Sequence, residues 1–75
     1  MELYEGYYVK LKRKKELAKV KQIYHYREWN DTEVVNEHYE FTVDINDRIY
    51  RYEDVQEYAE TKEELLNKLK KKAKK

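Results

Sequence analysis

Apolar and polar residues alternate through most of residues 3–52, which is the pattern of strands that bury one face. Each break in the alternation is a short polar stretch of the kind that forms turns. The pattern therefore predicts a meander of four antiparallel strands. We place the first strand at about residues 3–13 and the third at residues 34–45, with turns at residues 13–16, 30–33 and 46–47.

Residues 14–24 also fit a second interpretation, because apolar residues from Leu17 to Tyr24 recur at the three- and four-residue spacing of a helix. The run from Ile23 to Trp29 is rich in β-branched and aromatic residues, which are favoured in strands. We therefore interpret this segment as the second strand and keep the helix as the alternative.

A single register through all three turns sorts the strand residues into two faces of opposite character. It pairs Val9 with Val20, Val20 with Val43 and Val43 with Tyr50, so that apolar residues meet on one face. This inner face predicts the core, and it comprises Val9, Leu11, Val20, Tyr24, Tyr39, Phe41, Val43, Tyr50 and Tyr52. The outer face is basic and aromatic, and it comprises Tyr8, Lys10, Lys12, Lys19, Lys21, Ile23, His25, Arg27 and Trp29.

After the fourth strand the spacing of apolar residues changes to three and four, which predicts a helix over about residues 54–72. Asp54 with Glu57, and Thr61 with Glu64, both have the spacing of a capping box. The segment is therefore either one helix or a short turn followed by a longer helix.

The predicted fold class is α+β, with a four-stranded antiparallel β-meander and one C-terminal α-helix packed on one face. A chain of 75 residues can build one hydrophobic core, so we expect residues 1–75 to form a single small domain. The sheet would occupy residues 3–52 and the helix residues 54–72, and residues 70–75 would form a basic tail.

The composition excludes several kinds of active site. Cysteine and proline are absent, Gly6 is the single glycine, and the sequence contains no serine. The chain therefore has no disulfide, no cysteine-based zinc site, no serine or cysteine nucleophile and no glycine-rich phosphate loop. We expect a protein without enzymatic activity or cofactor. No apolar run reaches the roughly 18 residues that a membrane span needs, so we also expect a cytoplasmic protein that does not enter membranes.

The two histidines are the best candidates for a metal site. His25 and His38 would lie directly opposite each other on the outer face, where Cβ atoms are roughly 5 Å apart. A metal ion could bridge them, but the spacing fixes no third ligand, and Glu40 is only a neighbour. We therefore interpret both as ordinary exposed histidines and predict no metal site.

The net charge of +1 is the result of blocks of opposite sign. Residues 10–27 carry a net charge of +7, residues 28–64 carry −10 and residues 65–75 carry +6. A basic hairpin next to an acidic segment suits attraction within the chain as well as binding of an anionic partner. Charge alone therefore does not identify the partner.

The outer face is the candidate binding surface, because exposed aromatic side chains lie among cations. Aromatic residues are enriched at the centres of protein interfaces, and they also stack on the bases of single-stranded nucleic acid while cations contact its phosphates. The candidate partner-binding residues are Tyr4, Tyr8, Lys10, Lys12, Lys19, Lys21, His25, Arg27 and Trp29.

Three functions fit this surface. The one we favour is a non-enzymatic binding protein, comparable to small inhibitors and adaptors of phages and other mobile elements, that docks on a host protein such as a nucleic-acid-handling enzyme. The second is binding of single-stranded nucleic acid through the basic aromatic face. The third is an engineered or structural domain with no evolved ligand. The protein could be a monomer, or a homodimer formed through a free edge of the first or fourth strand.

Overall fold

The chain folds into a five-stranded antiparallel sheet followed by one helix, as described for residues 2–73 by a computed structural model. This confirms the α+β fold class, with one strand more than predicted. The elements are β1 (Tyr8–Leu11), β2 (Leu17–Asn30), β3 (Glu33–Val43), β4 (Ile49–Arg51), β5 (Val55–Ala59) and α1 (Lys62–Ala73). Their order across the sheet is β4-β3-β2-β1-β5. Because β2 is one continuous strand, the helical alternative for residues 14–24 is wrong.

Residues 55–59 form a strand where the sequence predicts the start of a helix. This strand, β5, pairs with β1, with Val9 opposite Tyr58 and Leu11 opposite Val55. The helical spacing of the apolar residues is misleading here, because the outer edge of β1 offers backbone hydrogen-bond partners that a helix could not use.

The helix begins at the second of the two predicted capping boxes. The Thr61 hydroxyl accepts a hydrogen bond from the backbone N–H of Glu64 at 3.1 Å, which satisfies one free donor of the first turn. The helix continues through Ala73, so residues 70–73 of the predicted tail are helical, and residues 74–75 lie outside the described part of the chain. Within the described residues, no helix combines the length and the apolar character of a membrane span.

A 3₁₀ turn (Tyr52–Asp54) joins β4 to β5, which lie at opposite edges of the sheet. The Asp54 carboxylate accepts a hydrogen bond from the N–H of Arg51 at 2.9 Å, so its predicted role in a helix cap with Glu57 is wrong. The four steps from Arg51 to Val55 span at most about 14 Å, whereas the edges of a flat five-stranded sheet are about 19 Å apart. The sheet is therefore curled, and its two edge strands approach each other.

The inside of the curled sheet buries the core. Phe41, Val9 and Val43 are completely buried, and Tyr50 and other tyrosines pack around them. The core cluster consists of Leu3, Val9, Leu11, Ala18, Val20, Phe41 and Val43. The predicted inner face is thus confirmed for Val9, Leu11, Val20, Phe41 and Val43, whereas Tyr24 and Tyr39 are exposed.

Two of the predicted strand pairings are offset by two residues. Val9 lies opposite Ala18 rather than Val20, and Phe41 lies opposite Tyr50. Because side chains alternate with a period of two, an offset of two leaves each residue on its predicted face. Most of the core was therefore predicted correctly from an incorrect register, and Tyr24 and Tyr39 are the exceptions.

The first strand has no free edge. β1 is hydrogen-bonded to β2 on one side and to β5 on the other, so the expectation that a free first strand could pair between two copies is wrong. The edge strands are β4 and β5, and β4 is only three residues long.

Ion pairs with a carboxylate on β5, a lysine hydrogen bond and one buried leucine attach α1 to the sheet. Glu57 lies 2.7 Å from the ammonium of Lys72 and 4.0 Å from that of Lys68, which also donates to the carbonyl of Tyr58 at 2.8 Å. Leu65 of α1 is completely buried but lies outside the core cluster, so α1 adds a separate contact region rather than a cover for the core. The hydrogen bond from Lys72 lowers the pKa of Glu57 below its ordinary value.

Acidification is expected to loosen α1. A carboxyl whose pKa is lower in the folded than in the unfolded state stabilises the fold above its unfolded pKa, and this contribution is lost as the pH falls through the folded pKa. The native chain should therefore be more stable than Glu57→Gln at about pH 7, and the difference should vanish at about pH 2. Urea unfolding at both pH values measures it. An equal difference at both would show that Glu57 does not act through its charge.

Candidate functional site

A bulge in β2 divides the predicted outer face. Val20 lies opposite Val43, but Lys21 is an extra residue without an opposite partner, and Ile23 then lies opposite Phe41. Val20 and Ile23 therefore share the core side of the sheet, and the prediction of one continuous outer face is wrong. Beyond the bulge the core side carries His25, Arg27 and Trp29, and the other side carries Tyr24 and Tyr26.

Three of the predicted residues stay together on the outer side of the curled sheet. Lys19 lies opposite Tyr8, with its ammonium 5.9 Å from the centre of the ring. Lys10 is half-buried and donates a hydrogen bond to the carbonyl of Leu11 at 2.8 Å. The side chains of these three residues, Tyr8, Lys10 and Lys19, are mostly engaged in contacts within the sheet. A fourth predicted residue, Tyr4, precedes β1 and is 53% exposed.

Lys12 and Lys21 lie apart from that group. Lys12 follows β1 and is anchored by its backbone N–H, which donates to the carbonyl of Asp54 at 2.9 Å. Lys21 is the exposed residue of the bulge. Neither side chain forms an ion pair with another residue of the described chain.

One carboxylate engages both of the predicted basic residues beyond the bulge. The two oxygens of Glu37 lie 2.8 Å from Nε2 of His25 and 3.4 Å from Nε of Arg27. The His25 ring also stacks on Tyr39, with ring centres 4.2 Å apart and planes 8° from parallel. These contacts join β2 to β3, so they leave less cationic surface for a phosphate group than the sequence suggests.

The two histidines lie on opposite faces of the β2–β3 hairpin. His25 is opposite Tyr39, whereas His38 is opposite Tyr26 and contacts Glu40 at 3.1 Å. The predicted facing pair of histidines is therefore wrong, because the bulge shifts one strand against the other by one residue. Across residues 2–73, no cluster of three or more histidine or carboxylate side chains is arranged to hold a metal ion.

Residues 24–39 form a two-stranded arm that projects from the curled sheet. The hydrogen bonds between β1 and β2 end at Val20, and β4 pairs with β3 only from Glu40 onward. Seven residues from Tyr24 to Asn30 extend about 23 Å, which accounts for the long axis of a molecule measuring 49 × 28 × 21 Å. The Cα radius of gyration is 14.3 Å, against about 11 Å for a compact chain of this length.

The arm has no core of its own. All of its residues are exposed except the half-buried His38, and an isolated two-stranded hairpin is only marginally stable in water. Stacked cross-strand pairs hold it together, His25 on Tyr39 and Tyr26 on His38, the latter with ring centres 5.1 Å apart. At the base, Tyr39 stacks on Tyr52 at 5.0 Å, and burial raises the pKa of Tyr52 above its ordinary value of 10.0.

The end of the arm carries an apolar tip, made by Trp29, Val34 and Val35. Trp29 lies opposite Val34 and is 59% exposed, and Val35 is the extra residue of a second bulge and is 56% exposed. Sequence reasoning missed the two valines as surface residues. Their adjacency could have indicated this exposure. Two neighbouring residues of a strand point to opposite faces, so both cannot face one core.

The arm is also acidic. It has a net charge of −3, counting histidine as neutral, because it contains one arginine and four carboxylates. The charged residues are Arg27, Glu28, Asp31, Glu33 and Glu37. The predicted combination of Trp29 with a dense group of cations is therefore absent from the arm, since the lysines lie on the curled sheet.

A basic cleft lies on the curled sheet, at the end remote from the arm. It has a volume of about 830 Å³ and is lined by residues 11–14, residues 48–50, Glu53 and Asp54. Its cations are Lys12, Arg13, Lys14 and Arg48. Only Lys12 was predicted as a site residue. The run of four cations at residues 12–15 was a usable signal, but only folding brings Arg48 beside it.

The arm and the basic cleft are thus two separate surfaces of the described residues. Comparison with protein-family models, with curated proteins and with solved structures finds no match for this chain.

Proposed function

We propose that this chain is a non-enzymatic protein-binding module that docks on its partner through the arm. The observation that carries the proposal is the apolar tip, where Trp29, Val34 and Val35 are held on a projecting hairpin with no core to bury them. Exposed apolar groups of this kind mark interaction surfaces, and tryptophan is enriched among the residues that dominate binding energy.

Protein is favoured over nucleic acid as the partner of the arm because of its charge. The net charge of −3 opposes the approach of phosphates. The cations nearest to the tip on the same face, Arg27 and His25, already contact Glu37. Stacking of bases on Trp29 would therefore lack the electrostatic attraction that normally accompanies it.

The chemistry of the arm also indicates the kind of partner surface. An apolar tip on an acidic hairpin is complementary to an apolar pocket with a basic rim. Nucleic-acid-handling enzymes carry basic surfaces because they bind phosphates. An inhibitor or adaptor for such an enzyme is therefore the role we propose, with the arm occupying or flanking the basic surface.

Alanine at Trp29 is expected to weaken partner binding by about 30-fold or more, the size of an interface hot spot. The melting temperature should stay within about 4 °C, because the side chain is mostly exposed. Partners are first identified by quantitative mass spectrometry of proteins retained by the native chain, and the affinity of each purified partner is then measured by titration.

Tyr4→Ala is the matched control for this substitution. Tyr4 is an aromatic residue of similar exposure, 53% against 59%, and it precedes β1 rather than belonging to the arm. The same partner should bind Tyr4→Ala with native affinity. A partner that binds Trp29→Ala as tightly as the native chain would rule out docking through the apolar tip.

A further inference from the structure

The basic cleft and the apolar tip lie at opposite ends of β2. The loop that supplies Lys12, Arg13 and Lys14 precedes Leu17, whereas Trp29 of the apolar tip follows twelve residues later along the same strand. At about 3.3 Å per residue, the two surfaces are roughly 40 Å apart. One partner contact at the arm therefore leaves the basic cleft free.

Hydrogen bonds hold both basic walls of the cleft in place, through the backbone on one wall and through side chains on the other. On one wall, the N–H of Lys14 donates to the carbonyl of Leu11 at 3.2 Å, within a tight turn. On the other, the N–H of Arg48 donates to the side-chain oxygen of Asn46 at 2.9 Å, while the Asn46 amide donates to the Tyr50 hydroxyl at 3.0 Å. The cations thus project from ordered loops.

The four cations of the cleft have no ion-pair partner among the described residues. No carboxylate of residues 2–73 lies within 4.0 Å of the charged groups of Lys12, Arg13, Lys14 or Arg48. Glu53 and Asp54 also line the cleft, so its lining has four cations against two carboxylates, a net charge of +2. A cleft with excess positive charge attracts an anion, and an anion placed between the four cations would reduce their mutual repulsion.

Arg13 occupies a backbone conformation that arginine disfavours. Its φ angle is +86°, in the left-handed region where glycine is the relaxed choice. An arginine at this position strains the turn, and backbone strain is commonly retained where the side chain contributes to binding.

We propose that the basic cleft binds the phosphate backbone of single-stranded nucleic acid. The cleft is open, and the run of cations that lines it from Lys12 to Lys14 continues along the loop to Lys15, which suits an extended chain of phosphates better than one enclosed phosphate group. Ile49, 60% exposed, adds an apolar surface beside the cations for contact with a base or sugar. This moves the nucleic-acid contact predicted around Trp29 to the other end of the molecule.

Arg13→Gly gives the sharpest test, because its effects on stability and on binding should be opposite. The melting temperature should be equal to or above that of the native chain, since glycine relaxes the left-handed turn. The affinity for a single-stranded oligonucleotide of about 12 nucleotides should fall about tenfold. The slope of log affinity against log salt should become shallower by about 0.7, the loss of one phosphate contact.

Binding is measured by fluorescence anisotropy of labelled DNA and RNA oligonucleotides of mixed sequence, at about 50 and 200 mM salt. Arg48→Gln should weaken binding in the same way. Glu53→Gln should strengthen binding, because it removes from the cleft wall a negative charge that repels phosphates. Asp31→Gly is the matched control, because Asp31 also has a positive φ, +57°, but lies at the end of the arm. It should leave the oligonucleotide affinity unchanged, as should Trp29→Ala.

Two results would overturn the proposal. One is an oligonucleotide affinity that is immeasurable at about 50 mM salt, or equal in the native chain, Arg13→Gly and Arg48→Gln. The other is binding of pyrophosphate or of vesicles containing phosphatidylglycerol without binding of oligonucleotides, which would assign the cleft to a different phosphate ligand.

Discussion

Alanine at Phe41 is expected to leave most of the protein unfolded at room temperature. The side chain is completely buried, opposite Ile23, with its ring centre 6.0 Å from that of Tyr50 and 6.1 Å from that of Tyr52. Removing a buried phenylalanine side chain costs about 3–5 kcal/mol, because the cavity collapses only in part. A single core in a domain of this size supplies a net stability of about 3–5 kcal/mol, so little remains.

Circular dichroism during urea and thermal unfolding measures this effect. Phe41→Leu is the control, because it keeps most of the volume and should fold with a lower melting temperature. Trp29→Ala should remain close to the native chain. A cooperative transition of Phe41→Ala at the native melting temperature would contradict the placement of the core at the centre of the curled sheet.

Removal of the arm is expected to abolish partner binding while leaving the rest of the protein folded. Replacing residues 26–38 by Asn-Gly would connect His25 to Tyr39, which lie directly opposite each other, through a two-residue hairpin turn. None of the removed residues is buried. The melting temperature should therefore change by no more than about 8 °C, the shift that about 1 kcal/mol produces in a domain of this size.

The shortened chain is checked in two ways. Small-angle X-ray scattering should give a radius of gyration near the roughly 11 Å of a compact chain, against the 14.3 Å Cα value of the native fold. Partners retained by the native chain should no longer be retained, whereas binding of oligonucleotides at the basic cleft should persist. An unfolded shortened chain would contradict the structural independence of the curled sheet, and retained partner binding would exclude the arm as the docking surface.

The bulge at Lys21 explains why the candidate site was only partly predictable. Alternation around Val9, Val20 and Val43 identifies core residues whatever the register, because each apolar side chain must leave water. A bulge adds one residue to one strand and reverses the faces beyond it. In the sequence, the bulge is visible only as the three-residue spacing between the apolar residues Val20 and Ile23. The same spacing also fits a helix.

Other parts of the site depend on contacts between distant segments. The apolar tip is exposed because β1 and β4 end before they reach it, and strand ends are set by the loops and edges of the whole sheet. The basic cleft unites Arg13 with Arg48, which are 35 positions apart. The pattern of apolar and polar residues within a short stretch of sequence therefore predicts neither the exposure of the apolar tip nor the assembly of the basic cleft.

The sequence by itself determined the fold class, five of the core residues (Val9, Leu11, Val20, Phe41 and Val43), the third strand and the cap at Thr61, because burial and capping depend on side-chain chemistry within a few neighbouring residues. Only the tertiary structure decided that residues 55–59 pair with β1, that the sheet curls, and that the arm separates Trp29 from the lysines. The physical reason is that backbone hydrogen bonds between distant strands, which every sequence can make, are selected by the geometry of the whole sheet.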